Sequence, residues 1–201
     1  MKNLFKIKAI ELLFCVFLLG CASTKTPAPA TILEKSAWIL DGKEIEQCHL
    51  SQTVQISGAL KKGIAPDGAP IFIRPYYLGE NGAKIELAEI SANIQKGQFA
   101  AEIALPALEA AEDSAAYFVP EFSFSVRLED GTAENAPVRL KAFAWIKTQF
   151  FDRTTKLPLA NRDFVIHKLG TPTDEIHGKT DADGYLFLQW LPVGHYFITF
   201  D

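Results

Sequence analysis

Thiols are scarce in this chain, positive charge is not in excess, and no apolar run is long enough to cross a bilayer as a helix. Cysteine occurs only as Cys15, Cys21 and Cys48. These lack the paired spacing of a zinc site and are too few for a disulfide framework. Lysine and arginine number 20 against 24 acidic residues. That balance supplies no basic surface, so no nucleic-acid partner is expected. It supplies no polybasic patch for anionic lipid either. The longest apolar run, Leu12–Leu19, falls far short of the roughly 20 residues a spanning helix needs. No G-x-S-x-G, H-E-x-x-H or phosphate-cradling glycine loop occurs. The local signatures of many hydrolases, zinc proteases and nucleotide binders are therefore missing. No cofactor, no metal and no catalytic residue are expected, and the chain reads as a non-enzyme.

What is present first is an address. Met1-Lys2-Asn3-Leu4-Phe5-Lys6-Ile7-Lys8 is positively charged, the short apolar core follows, and Leu18-Leu19-Gly20-Cys21 closes it. A charged start, a short apolar core and small residues at the cut make a secretory signal rather than a folded element. The ending Leu-Leu-Gly-Cys resembles the lipobox of bacterial lipoproteins. That resemblance implies cleavage before Cys21, acylation of its thiol and attachment to the membrane through that lipid. Ala22 stands where an aspartate would resemble an inner-membrane retention signal. The resemblance thus implies the outer membrane, with the protein facing the periplasm or exposed at the surface. Loss of residues 1–20 as signal peptide removes three lysines and one glutamate, leaving 181 residues with net charge −6. Residues 21–36 then form a lipidated tether, because their Pro/Ala/Thr composition has little to bury.

From Trp38 onward the dominant period is two. Val54 and Ile56 alternate with Thr53 and Gln55, and Phe99, Ala101 and Ile103 with Ala100 and Glu102. Phe122, Phe124, Val126 and Leu128 alternate with Ser123, Ser125 and Arg127 before the turn Glu129-Asp130-Gly131. Many short alternating runs separated by turn residues predict antiparallel sheets with one wet face. Only Ala107–Asp113 has a helical look. The fold class expected is all-β, two tandem antiparallel β-sandwiches after a signal peptide and tether. Residues 37–146 match the size of an immunoglobulin-like sandwich, and residues 147–201 make the second unit.

The second unit carries specific motifs. Asp152-Arg153-Thr154-Thr155-Lys156-Leu157-Pro158-Leu159-Ala160-Asn161 is followed by Gly178-Lys179-Thr180-Asp181-Ala182-Asp183-Gly184-Tyr185-Leu186-Phe187-Leu188. Leu191-Pro192-Val193-Gly194-His195-Tyr196-Phe197-Ile198-Thr199-Phe200 then ends the unit. Over about residues 148–200 this order resembles prealbumin-like (transthyretin-like), or carboxypeptidase-regulatory-like, β-sandwich domains. With few strands, the unit is either trimmed or shares a sheet with its neighbour. Asp181, Asp183, Gly184, Pro192 and Gly194 read as structural turn residues, glycine tolerating positive φ. The Asp181/Asp183 pair lacks the further ligands of a calcium loop.

The remaining candidates are few. Cys48 is a buried small hydrophobe, an intermolecular bridge or a reactive thiol. Burial leads, because neighbouring His49 points to the opposite face of a strand. His167, His177 and His195 lack zinc spacing. Trp38, Trp145 and Trp190 read as core or inter-domain packing, and Tyr76 and Tyr77 beside Arg74 as core rather than ligand platform. The last strand, Phe197-Ile198-Thr199-Phe200, reads as a sheet edge onto which an envelope protein partner could add a strand. The leading reading is a non-enzymatic envelope lipoprotein that binds or scaffolds. One version is a secretion-system accessory, since small lipoproteins with transthyretin-like sandwiches anchor type VI machines. The alternative is a periplasmic hydrolase or a carbohydrate-binding or carbohydrate-active protein.

Overall fold

The computed structural model describes residues 31–112 and 114–200. The signal peptide, Cys21 and most of the tether lie outside the described residues. Within them the chain is all-β. One sheet runs β2 (Lys43–Ile45), β1 (Leu33–Leu40), β4 (Thr53–Leu60), β8 (Gln98–Ala104). A second runs β14 (Tyr185–Leu191), β11 (Leu140–Gln149), β9 (Glu121–Leu128), β5 (Pro70–Leu78), β6 (Lys84–Glu86). On its flanks β10 (Ala133–Asn135) pairs with β9, β7 (Ile90–Asn93) with β5, and β3 (Gln47–His49) with β11. The third sheet is β13 (Thr171–Lys179), β12 (Asp163–Lys168), β15 (Tyr196–Phe200). Pairing is antiparallel, as expected, except that β3 lies parallel to β11.

Alternation decides what meets in the middle. Val54, Ile56 and Ile103 on one sheet, and Ile71, Ile73, Phe122, Phe124 and Val126 on the other, are buried. Trp38 of β1 packs edge-on against Phe124 of β9, centroids 5.5 Å apart. Each such side chain contributes about 1.5–3 kcal/mol by leaving water. Cys48 joins the same core.

The folded part begins earlier than composition suggests. Ile32 and Leu33, inside the span read as tether, are buried. Their N–H groups both donate to Glu134 Oε2, at 2.5 and 2.7 Å. Two apolar residues at the end of a Pro/Ala/Thr stretch are diluted in any average but suffice to start β1.

The expected boundary between residues 146 and 147 falls inside a strand. The first half of β11 pairs with β9 and β3, and its second half with β14. The C-terminal lobe therefore shares a sheet with its neighbour. Its core of Phe164, Ile166 and Leu186 lies between the three-stranded sheet and the β11–β14 ribbon, with Ile146, Leu188 and Ile198 against it. Thr31–Asp201 forms one compact unit.

Ala107–Asp113 is not helical where described; it belongs to an irregular connection between β8 and β9. That connection spends its polar groups on the small lobe. Phe118 and Val193 exchange two backbone bonds, at 3.1 and 2.8 Å. His195 Nε2 meets the Ala111 carbonyl at 2.8 Å, and the Tyr117 hydroxyl donates to the His195 carbonyl. Tertiary partners here outweigh a weak local helical preference.

Candidate functional site

The turn residues separate into different roles. Asp181 Oδ1 accepts from the N–H groups of Asp183 and Tyr185, at 2.9 and 2.8 Å. This is the Asx geometry that closes the β13–β14 turn. Gly184 has φ +77°, as its reading required. Asp183 takes part through its carbonyl, which accepts from the Gln149 side-chain amide at 2.7 Å. The Pro192 carbonyl accepts from the Tyr196 hydroxyl at 2.9 Å. Burial pushes the Tyr196 phenol up to about 12, with neighbouring Tyr117 adding to the shift.

Gly194 needs a correction. It has no positive φ, so turn geometry does not require glycine there. A Cβ at that position would run into the Tyr117 ring. The glycine makes room for an aromatic plate from the β8–β9 connection, a long-range demand with no local trace.

Asp152 explains its own motif. Its Oδ1 accepts from the N–H groups of Thr154 and Thr155, at 2.9 and 2.7 Å, and from the Thr155 hydroxyl at 3.0 Å. The Thr155 N–H, first among these bonds, holds the carboxyl below the usual carboxylate range. This constellation closes a loop.

The C-terminal strand is a sheet edge. Among the described residues β15 pairs with β12 alone, Phe164 facing Phe200, Ile166 facing Ile198 and Lys168 facing Tyr196. The Leu169 N–H donates to the His195 carbonyl at 3.1 Å, which fixes the phase of the ladder. In antiparallel pairs the backbone bonds alternate. Phe197 and Thr199 therefore point their N–H and C=O groups at β12, whereas Tyr196, Ile198 and Phe200 point theirs outward. Of the four residues read as a partner edge, only Ile198 and Phe200 turn their backbone groups away from β12.

Three side chains cluster on the outer face of the same sheet. Glu175 lies between His167, at 3.5 Å, and His177, at 3.3 Å. The His167 ring stacks on Phe197, centroids 4.8 Å apart. Among the described residues no group of three or more His, Cys, Asp or Glu is placed to hold a metal. Cys48 is buried, and desolvation pushes its thiol up to about 12. A thiol so held is neither a nucleophile nor a bridge to another chain.

The tryptophans divide. Trp38 is core, but Trp145 and Trp190 are 48% and 44% exposed. The small sheet covers only the Ile146/Leu186/Leu188 side of the β11–β14 ribbon, leaving Trp145, Tyr185 and Phe187 on the uncovered side. Period-two parity carried the signal, because Trp145 shares its face with Lys147. Reading Tyr185-Leu186-Phe187-Leu188 as one apolar strand hid it. Tyr76 and Tyr77 behave differently. Tyr77 packs on Phe122, centroids 5.2 Å apart, and Lys84 lies 4.3 Å over the Tyr76 ring.

No family model matches the chain. No curated protein matches it either. Among solved structures it is similar to a group B streptococcus pilus 2b backbone protein, at 12% identity and TM-score 0.29, over 79% of this chain and 82% of that one. It is also similar to a trypsin-activated alpha-2-macroglobulin from Escherichia coli, at 11% identity and TM-score 0.36, over 86% of this chain but only 16% of that one. Neither likeness assigns a role to any residue here.

Proposed function

We propose that this chain is a non-enzymatic lipoprotein of the outer membrane, anchored through Cys21, that serves as a binding or scaffolding module in the envelope. Its protein partner adds a strand to β15, in the manner of a secretion-system accessory. The observation carrying this reading is the outward backbone row of Tyr196, Ile198 and Phe200 on a strand that, among the described residues, is paired along one side only. Such a row is a ready template for a partner strand, with alternate side chains setting specificity.

Anchoring is tested first. Cys21→Ser is expected to move the protein from the membrane to the soluble fraction and to abolish labelling by a fatty-acid analogue. Unchanged membrane partitioning would overturn the anchor, and density-gradient fractionation reads which membrane holds the wild type.

The edge is tested by amide exchange. Tyr196, Ile198 and Phe200 are expected to exchange faster than Phe197 and Thr199, because only the latter donate to β12. A bound partner strand should protect the fast set. Ile198→Pro, which removes an outward N–H, should weaken docking, whereas Thr199→Pro would break the ladder to β12 instead. Docking undiminished by Ile198→Pro in a folded protein would place the partner elsewhere. Hydrolase activity lost with a single carboxylate would refute the non-enzyme reading.

A further inference from the structure

The core of the C-terminal lobe holds three buried side chains, Phe164, Ile166 and Leu186. So small a core does not hold a lobe in place by itself. Val193, in the turn between β14 and β15, is committed elsewhere. It is 2% exposed and belongs to the core of the first sandwich, against which Leu108, Ala110 and Phe118 of the β8–β9 connection also pack. A residue of one lobe is thus seated in the core of the other.

Two residues of that connection grip four consecutive residues of the turn. Phe118 trades backbone bonds with Val193. The Tyr117 ring fills the space that Gly194 leaves by having no Cβ. Its hydroxyl donates to the His195 carbonyl, which also accepts from the Leu169 N–H. Its ring meets that of Tyr196, where β15 begins, edge-on with centroids 5.3 Å apart. A further contact joins His195 Nε2 to the Ala111 carbonyl at 2.8 Å.

The gripping segment has little else to hold it. Among the described residues, the one backbone–backbone bond made by residues 114–117 runs from the Ser114 N–H to the Ala111 carbonyl, at 2.8 Å. No ladder among the described residues ties this stretch to the first sandwich, and the Ser114 hydroxyl reaches only an exposed carboxylate, that of Glu80, at 2.8 Å. Segments with few backbone bonds of their own open locally, at free energies well below that of global unfolding. β4 and β12 stand at the opposite extreme, each paired along both sides.

We propose that Ser114–Phe118 is a latch on the turn that feeds β15, able to detach from Val193–Tyr196 while both cores stay folded. Closed, it fixes the His195 carbonyl and Tyr196 and so presents β15 as an ordered edge. Open, it releases the start of that strand. By linkage, a strand docked on β15 holds the latch shut. The proposal rests on the reading of β15 as a docking edge only for the use of the latch. Its test is made on the free protein, so either reading can fail without the other.

Residue-resolved amide exchange on the full chain in mild non-ionic detergent decides it. The Phe118 and Val193 N–H groups donate to each other's carbonyls. One opening frees both, so the two amides should show equal protection. That protection should fall below those of Ile56 on β4 and Ile166 on β12 by about tenfold or more. Gly194→Ala drives a methyl into the Tyr117 ring. It should lower the protection of Phe118 and Val193 by about a further tenfold, with Ile56 and Ile166 unchanged. In a Tyr117→Ala background the same substitution should add nothing, because the ring it displaces is gone.

Phe118 and Val193 as well protected as Ile56 would overturn the latch, since the turn would then open only with the core. Unequal protection of the two amides would overturn it as well. Gly194→Ala that frees Ile166 together with Val193 would make the contact part of the lobe's own fold rather than a latch upon it.

Discussion

Gly184→Val is expected to lower the melting temperature of the C-terminal lobe by many degrees. Two independent costs meet at this residue. Its φ of +77° is a conformation that a β-branched side chain resists, at about 1–3 kcal/mol. A Cβ would also lie 2.9 Å from the Phe150 carbonyl oxygen, 3.0 Å from the Leu159 nitrogen and 3.0 Å from Pro158 Cβ. Two of those atoms are backbone, held by the Phe150 N–H bond to the Gly184 carbonyl and the Leu159 N–H bond to the Phe150 carbonyl. Crowding of this kind adds about 1–3 kcal/mol. The sum is a large share of the roughly 5–15 kcal/mol by which domains are stable. At about 2–4 °C per kcal/mol for a chain of this size, calorimetry should read a fall on the order of 5–20 °C. Asp183→Ala should stay within about 0.5 kcal/mol, because its side chain is exposed. Asp181→Ala should fall between them, since it removes the acceptor of two backbone N–H groups. Gly184→Val melting within a degree or two of wild type would refute this account of the turn.

Raising the pH from 9 to 12 should erode stability through Cys48. The unfolded thiol titrates near 9.0 and the folded one near 12. Above pH 9 the unfolded chain sheds a proton that the folded chain keeps. The contribution is therefore complete below pH 9 and is lost progressively as pH climbs through the folded value. One group gives a slope of about 1.4 kcal/mol per pH unit, so the full interval is worth on the order of 4 kcal/mol. Tyr196 titrates high in the fold for the same reason and pushes in the same direction once pH passes its ordinary value of 10.0. Denaturant titrations at pH 8, 9 and 10 should show wild type losing ground against Cys48→Ala between the last two points. Parallel curves would mean that the thiol is hydrated in the folded protein.

Much of the first sandwich was legible because alternation is a local signal with a direct physical cause. Phe122, Phe124 and Val126 face inward because successive side chains of a strand point to opposite sides. What parity does not reveal is which side another sheet will cover. Trp145 and Ile146 have equal claims to a core until the small lobe chooses Ile146. The same gap hid the shared strand, since β11 reads as one run whether it serves one lobe or two. Glycine was ambiguous in a different way. Gly184 and Gly194 look alike as turn residues, yet one answers a backbone torsion and the other a distant tyrosine ring. The open edge of β15 was foreseeable as an edge, but its hydrogen-bonding phase needed the Leu169–His195 bond to fix it.

The clamp at Glu134 has a mechanical consequence. Ile32 and Leu33 enter beside β10, which pairs with the Ser125–Arg127 part of β9. The C-terminal lobe departs past Glu121, at the other end of that strand. A chain held upstream of Thr31 and loaded at its C-terminal lobe is thus pulled along the strand axes. Tension then acts lengthwise on β1, whose ladder with β4 runs from Leu33 opposite Leu60 to Ile39 opposite Gln55. Bonds strained side by side yield together, whereas bonds peeled from one end yield in turn. Loaded in that way, the β1–β4 ladder would be sheared along its length rather than peeled from one end.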